Sequence, residues 1–203
     1  DTVRRQRQMC IRDSCFINNH GGIVDDLIVY RIEEKKYMLV VNAANIEKDW
    51  KWIKKNIQNF DCKIINSSAD IGLISVQGPE SLNLINDTFS KNFSNLKKFS
   101  FNTILVSNKS IIVSNTGYTG SKGYELYIDV SIISLIWNKL IEEGKKYKLQ
   151  PIGLGARDTL RIEMGYCLYG NDIDDVTTPY EANLMWVTDC LLYTSPSPRD
   201  RVQ

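Results

Sequence analysis

Histidine is nearly missing from the 203-residue chain: His20 stands alone, which excludes mechanisms that need a histidine pair or cluster. No apolar run approaches the roughly 18 residues of a membrane helix, and no charged-then-apolar leader is seen, so the reading is a soluble, intracellular protein. A net charge of +1 gives no argument for a nucleic-acid or acidic-membrane partner. Repeats, low-complexity tracts and CxxC spacings are absent. What is present, 43% hydrophobic and 24% charged residues, is ordinary globular composition and argues against disorder, collagen and coiled coil.

Both ends look foreign to the rest. Arg4 to Ser14 reads as the translation of a transposase sequencing-library adapter, whose core AGATGTGTATAAGAGACAG gives Met9-Cys10-Ile11-Arg12-Asp13-Ser14 in frame. The reverse complement gives Cys190-Leu191-Leu192-Tyr193-Thr194-Ser195, continued by Pro196-Ser197-Pro198-Arg199-Asp200. Residues 1–14 and 190–203 are therefore expected to be non-native segments that pack poorly, and 15–189 the meaningful part. Removing six Arg and three Asp leaves 19 basic and 21 acidic residues, net −2, with Cys15, Cys62 and Cys167 as three reduced thiols.

Within 15–189 the hydrophobic period alternates. Residues 27–30 and 37–41 predict a hairpin across Glu33-Glu34-Lys35-Lys36. Asn45 is expected to cap a helix over 46–59 whose apolar face is Ile46, Trp50, Ile53 and Ile57. Residues 62–65 and 71–76 predict a strand pair, and Gly78-Pro79-Glu80 opens a helix over Leu82, Leu84 and Ile85. A hairpin over 104–106 and 111–113, a strand over 124–128, and helices over 131–145 and 155–164 follow. Two-strand-plus-helix units with hairpins give an α+β fold, not a doubly wound parallel sheet.

Three segments could carry chemistry. Gly21-Gly22-Ile23-Val24-Asp25-Asp26 sets two carboxylates at the head of a strand, where alternation lets only one face a given pocket; taken alone, a solvated turn is the commoner outcome. Thr116-Gly117-Tyr118-Thr119-Gly120 to Gly123-Tyr124-Glu125 is a Gly-rich loop ending in an acid that could accept paired N–H donors from a flat heterocycle, with a tyrosine on its ring. It lacks the Gly-Lys-Ser/Thr context of a phosphate loop, and alone a structural β-turn is the commoner reading. In Pro151 to Glu163, Asp158 and Arg161 read as an i,i+3 pair, whereas Arg157 near a helix entrance opposes the dipole unless something compensates it.

In this order, with Val40-Val41-Asn42-Ala43-Ala44-Asn45-Ile46-Glu47-Lys48-Asp49, Gln77-Gly78-Pro79, Leu168 to Asp174 and Thr177 to Ala182, these stretches resemble the aminomethyltransferase, or T-protein, family of the glycine cleavage system. The resemblance implies a partial folate-binding domain of two-strand-plus-helix units with mixed and antiparallel sheets, an internal fragment lacking the family's first elements and its C-terminal β-barrel. It implies transfer of an aminomethyl carbon from the lipoyl arm of H protein to tetrahydrofolate with release of ammonia, without metal, nucleic acid or membrane. The fragment is expected to be inactive alone, in the bacterial cytoplasm or, in a eukaryote, the mitochondrial matrix. By motif match Asp26 is the catalytic acid beside the folate nitrogens, and Tyr30, Val40, Asn42, Tyr118, Glu125 and Arg157 are folate-binding positions. Ser121-Lys122 departs from the acidic pair common between the two glycines. Alternatives are another tetrahydrofolate-dependent demethylase, the folate domain of a sarcosine or dimethylglycine dehydrogenase, and a non-catalytic folate-binding protein of iron–sulfur cluster maintenance.

Overall fold

A computed structural model describes residues 11–187; residues 1–10 and 188–203, and with them the C-terminal segment read as adapter-derived, lie outside the described residues. The described residues divide into two compact units, one of residues 57–166 with Ile11, the other of 12–56 with 167–187.

In the second unit, strands β1 (Ile11–Ile17), β2 (Ile23–Glu33) and β3 (Lys36–Val40) form a three-stranded sheet in chain order. β2 and β3 are the expected hairpin, antiparallel from Ile28 opposite Val40 to Glu33 opposite Lys36, with a bulge between Arg31 and Glu33. Residues 11–14, expected to pack poorly, open β1, and Ile11 is fully buried. An extended chain of any origin can satisfy the free edge of a strand.

Between β1 and β2, Gly21 takes a positive φ of 88°, and a Cβ on Gly22 would sit 1.8 Å from the Asp175 carbonyl oxygen. The Gly-Gly pair thus serves close backbone approach, and Ile23 N–H donates to the Thr177 carbonyl at 3.0 Å. Helix α1 (Ile46–Asn56) follows a 3-10 turn at Ala43–Asn45 and ends three residues short of expectation. Its Trp52 stacks on Phe16 of β1 at 4.5 Å.

The other unit is a four-stranded antiparallel sheet ordered β4-β7-β6-β5: β4 (Ile71–Gln77), β5 (Phe101–Val106), β6 (Lys109–Ser114) and β7 (Gly123–Asp129). Residues 62–65 do not form the expected strand; β4 pairs with β7. Cys62, Lys63 and Ile65 are exposed there, so the short β-rich run has no buried face to hold it in a sheet. The β5–β6 hairpin turns on Ser107 and Asn108, both left-handed at φ 51° and 60°, the twist-matched geometry of a two-residue loop.

Helices α2 (Ser81–Phe89) and α3 (Val130–Gly144) pack on each other and on β7. Leu84, Ile85, Ile136 and Leu140 meet Ile74, Val76, Ile111, Val113, Tyr124, Leu126 and Ile128 in one core. Asp129 ends β7 and caps α3, accepting from Ser131 N–H at 2.9 Å. Because alternate residues of β7 take opposite faces, seating Tyr124, Leu126 and Ile128 in this core turns Glu125 to the sheet's other face. Helix α4 (Leu154–Glu163) closes the unit. The α+β architecture is what the alternating patterns predicted, and its antiparallel sheets agree with what the family resemblance implied.

Candidate functional site

The named residues gather in two clusters, one in each unit. In the first, β2 presents Asp25 and Asp26 beside the segment leaving β3. Asp25 is fully buried and Asp26 half-buried. The Asn42 side-chain nitrogen donates to Asp25 Oδ1 at 2.9 Å, Asp26 Oδ1 at 2.8 Å and the Asp26 carbonyl at 3.2 Å. Alternation was expected to separate the two carboxylates, yet one amide reaches both. The same nitrogen also contacts the Asp26 carbonyl, so it lies against the β2 backbone between the two side chains. Asn42 N–H also donates to Asp25 Oδ2 at 3.2 Å.

Asn45 does not cap α1. Its amide donates to Asp25 Oδ1 at 2.7 Å, a stronger demand, since a buried carboxylate without donors is costly. Lys48 donates to the Val24 carbonyl and lies 3.6 Å from the Tyr169 ring centroid. The local field is negative: burial, then Asp26 and Asp25, push the Cys15 thiol up to about 12. Tyr30 is fully buried in β2 opposite Met38, and Val40 closes β3 opposite Ile28.

In the second cluster, Thr116 Oγ1 donates to Glu125 Oε2 and lies 2.8 Å from Ser114 Oγ. Burial raises the Glu125 carboxyl above its ordinary range, against the lowering pull of Thr116 and of the Arg157 charge. The Arg157 guanidinium lies 4.6 Å from the Tyr118 ring centroid, and Tyr118 stacks on Tyr166 at 5.6 Å. The ring and Glu125 together supply the compensation that Arg157 needs near the start of α4. Asp158 and Arg161 form the expected pair at 2.6 Å, and buried Arg161 also donates to the Tyr166 carbonyl at 3.0 Å, fixing the chain that carries Tyr166.

Gln77, Tyr166 and Asp49 were not singled out from sequence. Gln77, at the end of β4, donates to the Thr116 and Tyr124 carbonyls at 3.3 and 3.4 Å and accepts from Thr119 Oγ1 at 3.3 Å. A Cβ on Gly117 or Gly123 would lie 2.1 or 1.8 Å from its Oε1. The loop is glycine-rich so that this amide can lie against its backbone. The signal was the Gln77-Gly78-Pro79 stretch itself.

A desolvated carboxylate edged by an aromatic and a guanidinium suits a flat heterocycle with adjacent N–H groups: Glu125 would accept from them, and the gain is larger because Glu125 is under-compensated. Among the described residues no three His, Cys, Asp or Glu side chains are arranged to hold a metal ion. A groove lined by Leu73, Ile133 and Trp137 contains none of the site residues and no titratable group. Among the described residues no helix is long and apolar enough to cross a membrane.

The GCVT N-terminal domain family matches residues 4–190. The chain is 47% identical over 180 residues to the aminomethyltransferase of Bacteroides fragilis, covering 88% of this chain and 49% of that protein. The Flavobacterium psychrophilum aminomethyltransferase is 49% identical over 176 residues, 86% of this chain and 49% of its own length. The crystal structure of glycine cleavage system aminomethyltransferase T from Bartonella henselae superposes with a TM-score of 0.82 at 30% identity, over 95% of this chain and 51% of that one. The chain thus spans about half the length of the curated relatives it matches. On the extent of these matches and the shared fold, the chain belongs to the GCVT N-terminal domain family.

Proposed function

We propose that the protein to which this chain belongs is the aminomethyltransferase of the glycine cleavage system, moving the aminomethyl carbon from the lipoyl arm of H protein to tetrahydrofolate and releasing ammonia. The observation that carries this reading is the half-buried Asp26, held by Asn42 in a negative environment, in a chain whose relatives of nearly half identity are named aminomethyltransferases. Residues 15–189 are proposed as part of the folate-binding domain, with the flanking segments adapter-derived, and the cytoplasm as compartment.

The residues present fit a folate ring. Within the unit of residues 57–166, Glu125 would accept its N–H donors, with Tyr118 and Arg157 beside it; Asn42, Val40 and Tyr30 are proposed as binding positions on their motif match. Tetrahydrofolate, when bound, supplies the nucleophilic nitrogen, so no side chain of this protein has to form a covalent bond. Asp26 accepts or steers the proton of the attacking amine, with Asn42 fixing the carboxylate's orientation. The negative charge around Asp25 and Asp26 favours the cationic character that develops on the departing aminomethyl group.

The test supplies the complete protein with tetrahydrofolate and H protein carrying an aminomethyl-lipoyl group. Methylene-tetrahydrofolate and ammonia in equal amounts are expected. Turnover only with sarcosine or dimethylglycine would support the dehydrogenase-type reading, and folate binding with no transfer from any donor the non-catalytic one.

A further inference from the structure

We propose that Asp49 is a positioning residue: it keeps a proton and donates it to Asp25, so that Asp25 stays a fixed acceptor for Asn42 and, through Asn42, sets the orientation of Asp26. Asp49 is the buried residue of α1, 1% exposed, and neither of its carboxyl oxygens meets an N–H or other hydroxyl donor. It lies one helical turn beyond Asn45, whose amide is 2.7 Å from Asp25 Oδ1, and next to Lys48, which reaches the Val24 carbonyl, so α1 turns it toward the Asp25 carboxyl, which is also buried. Two carboxyl groups turned toward each other, away from water, attract only with a proton between them.

The donor count says which of the two holds it. Asp25 already accepts from the Asn42 amide, the Asn42 backbone N–H and the Asn45 amide, so both of its oxygens are engaged as acceptors. Asp49 accepts from none of them, so the proton sits on Asp49. The charged groups facing it are Asp25 and Asp26 from β2, which oppose its ionisation, and Lys48 on its own helix, which favours it less strongly than burial and Asp25 oppose it. Lys48 is also committed to the Val24 carbonyl and the Tyr169 ring.

That Asp26 is the group being positioned rests on the transfer reading above; the proton on Asp49 does not. Two readouts on the complete protein separate them. Difference infrared spectra of wild type against Asp49→Asn should show the carbonyl band of a protonated buried carboxyl at about pH 6, absent in the variant and lost by about pH 9. A missing band, or one that titrates near the ordinary carboxyl range, overturns the proposal. In the transfer assay Asp49→Leu, which removes the donor, should lower kcat about ten- to a hundredfold with little change in KM for H protein. Asp49→Asn, which keeps a neutral donor, should restore kcat to within a few-fold and abolish the fall in activity on the alkaline side. Equal losses in both variants, or an alkaline limb unchanged in Asp49→Asn, would also overturn it. An infrared band as expected in a wild-type protein that transfers nothing would instead refute the transfer reading and confine the role of Asp49 to holding Asp25.

Discussion

The side-chain amide of Asn42 lies 2.8 Å from Asp26 Oδ1 while contacting Asp25 Oδ1 at 2.9 Å, so a single donor group ties a fully buried carboxylate to a half-buried one. Substituting Asn42 tests both ends. Asn42→Ala leaves Asp25 short of a donor in a dry environment and releases Asp26. Urea denaturation should show a loss of about 1–3 kcal/mol, accompanied by slower transfer. Unchanged stability would mean that water replaces the amide.

Asp26→Asn keeps shape and hydrogen bonding but removes the proton acceptor. In the complete protein it should retain most tetrahydrofolate affinity, measured by calorimetry, while turnover falls about 10²–10⁴-fold. Equal activity in variant and parent would remove Asp26 from the mechanism.

Gly123→Ala should destabilise by about 1–3 kcal/mol, because its Cβ meets the Gln77 amide. Gln77→Ala deletes the colliding atoms, so the double variant should be more stable than the sum of the single losses predicts. A double-mutant cycle by thermal or urea unfolding measures that coupling. Strict additivity would show that the loop does not depend on Gln77.

Burial raises the Asp49 carboxyl well above its ordinary value of 3.8 in the folded protein, and Asp25 adds to the shift. The folded state therefore holds more protons than the unfolded state from that ordinary value up to the raised one, and stability falls as pH rises through that window and levels off above it. Unfolding free energies across the window should show this slope in wild type and a shallower one in Asp49→Asn. Parallel curves would contradict the assignment.

Arg157→Met removes the charge that partly lowers Glu125 and the guanidinium beside Tyr118. Folate affinity should drop about tenfold, roughly 1.4 kcal/mol. Arg157→Lys should recover only part of it, since an ammonium does not offer the planar fork.

Much of the fold was legible because its signals are local. The Ser107-Asn108 hairpin, the α3 stripe and the Asp158–Arg161 pair follow from turn chemistry and helical spacing over a few residues. Residues 62–65 misled because β propensity needs a partner strand, and pairing across the chain gave that place to β7. In the candidate site, Asp26, Asn42, Glu125 and Arg157 were picked out by motif match. Gln77 and Tyr166 act through contacts with segments far along the chain or beyond a helix. Asp49 carried a signal that was passed over: it falls three residues after Ile46 and four before Ile53, a carboxyl in the middle of the apolar stripe of α1.

The most direct measurement of the central claim is a single turnover of the complete protein with H protein carrying a 13C-labelled aminomethyl group, followed by NMR with wild type and Asp26→Asn side by side. The label should move to methylene-tetrahydrofolate with one ammonia released per transfer in wild type, and remain on the lipoyl arm in the variant over the same interval. Label that stays on H protein in both, or moves equally fast in both, would contradict the account.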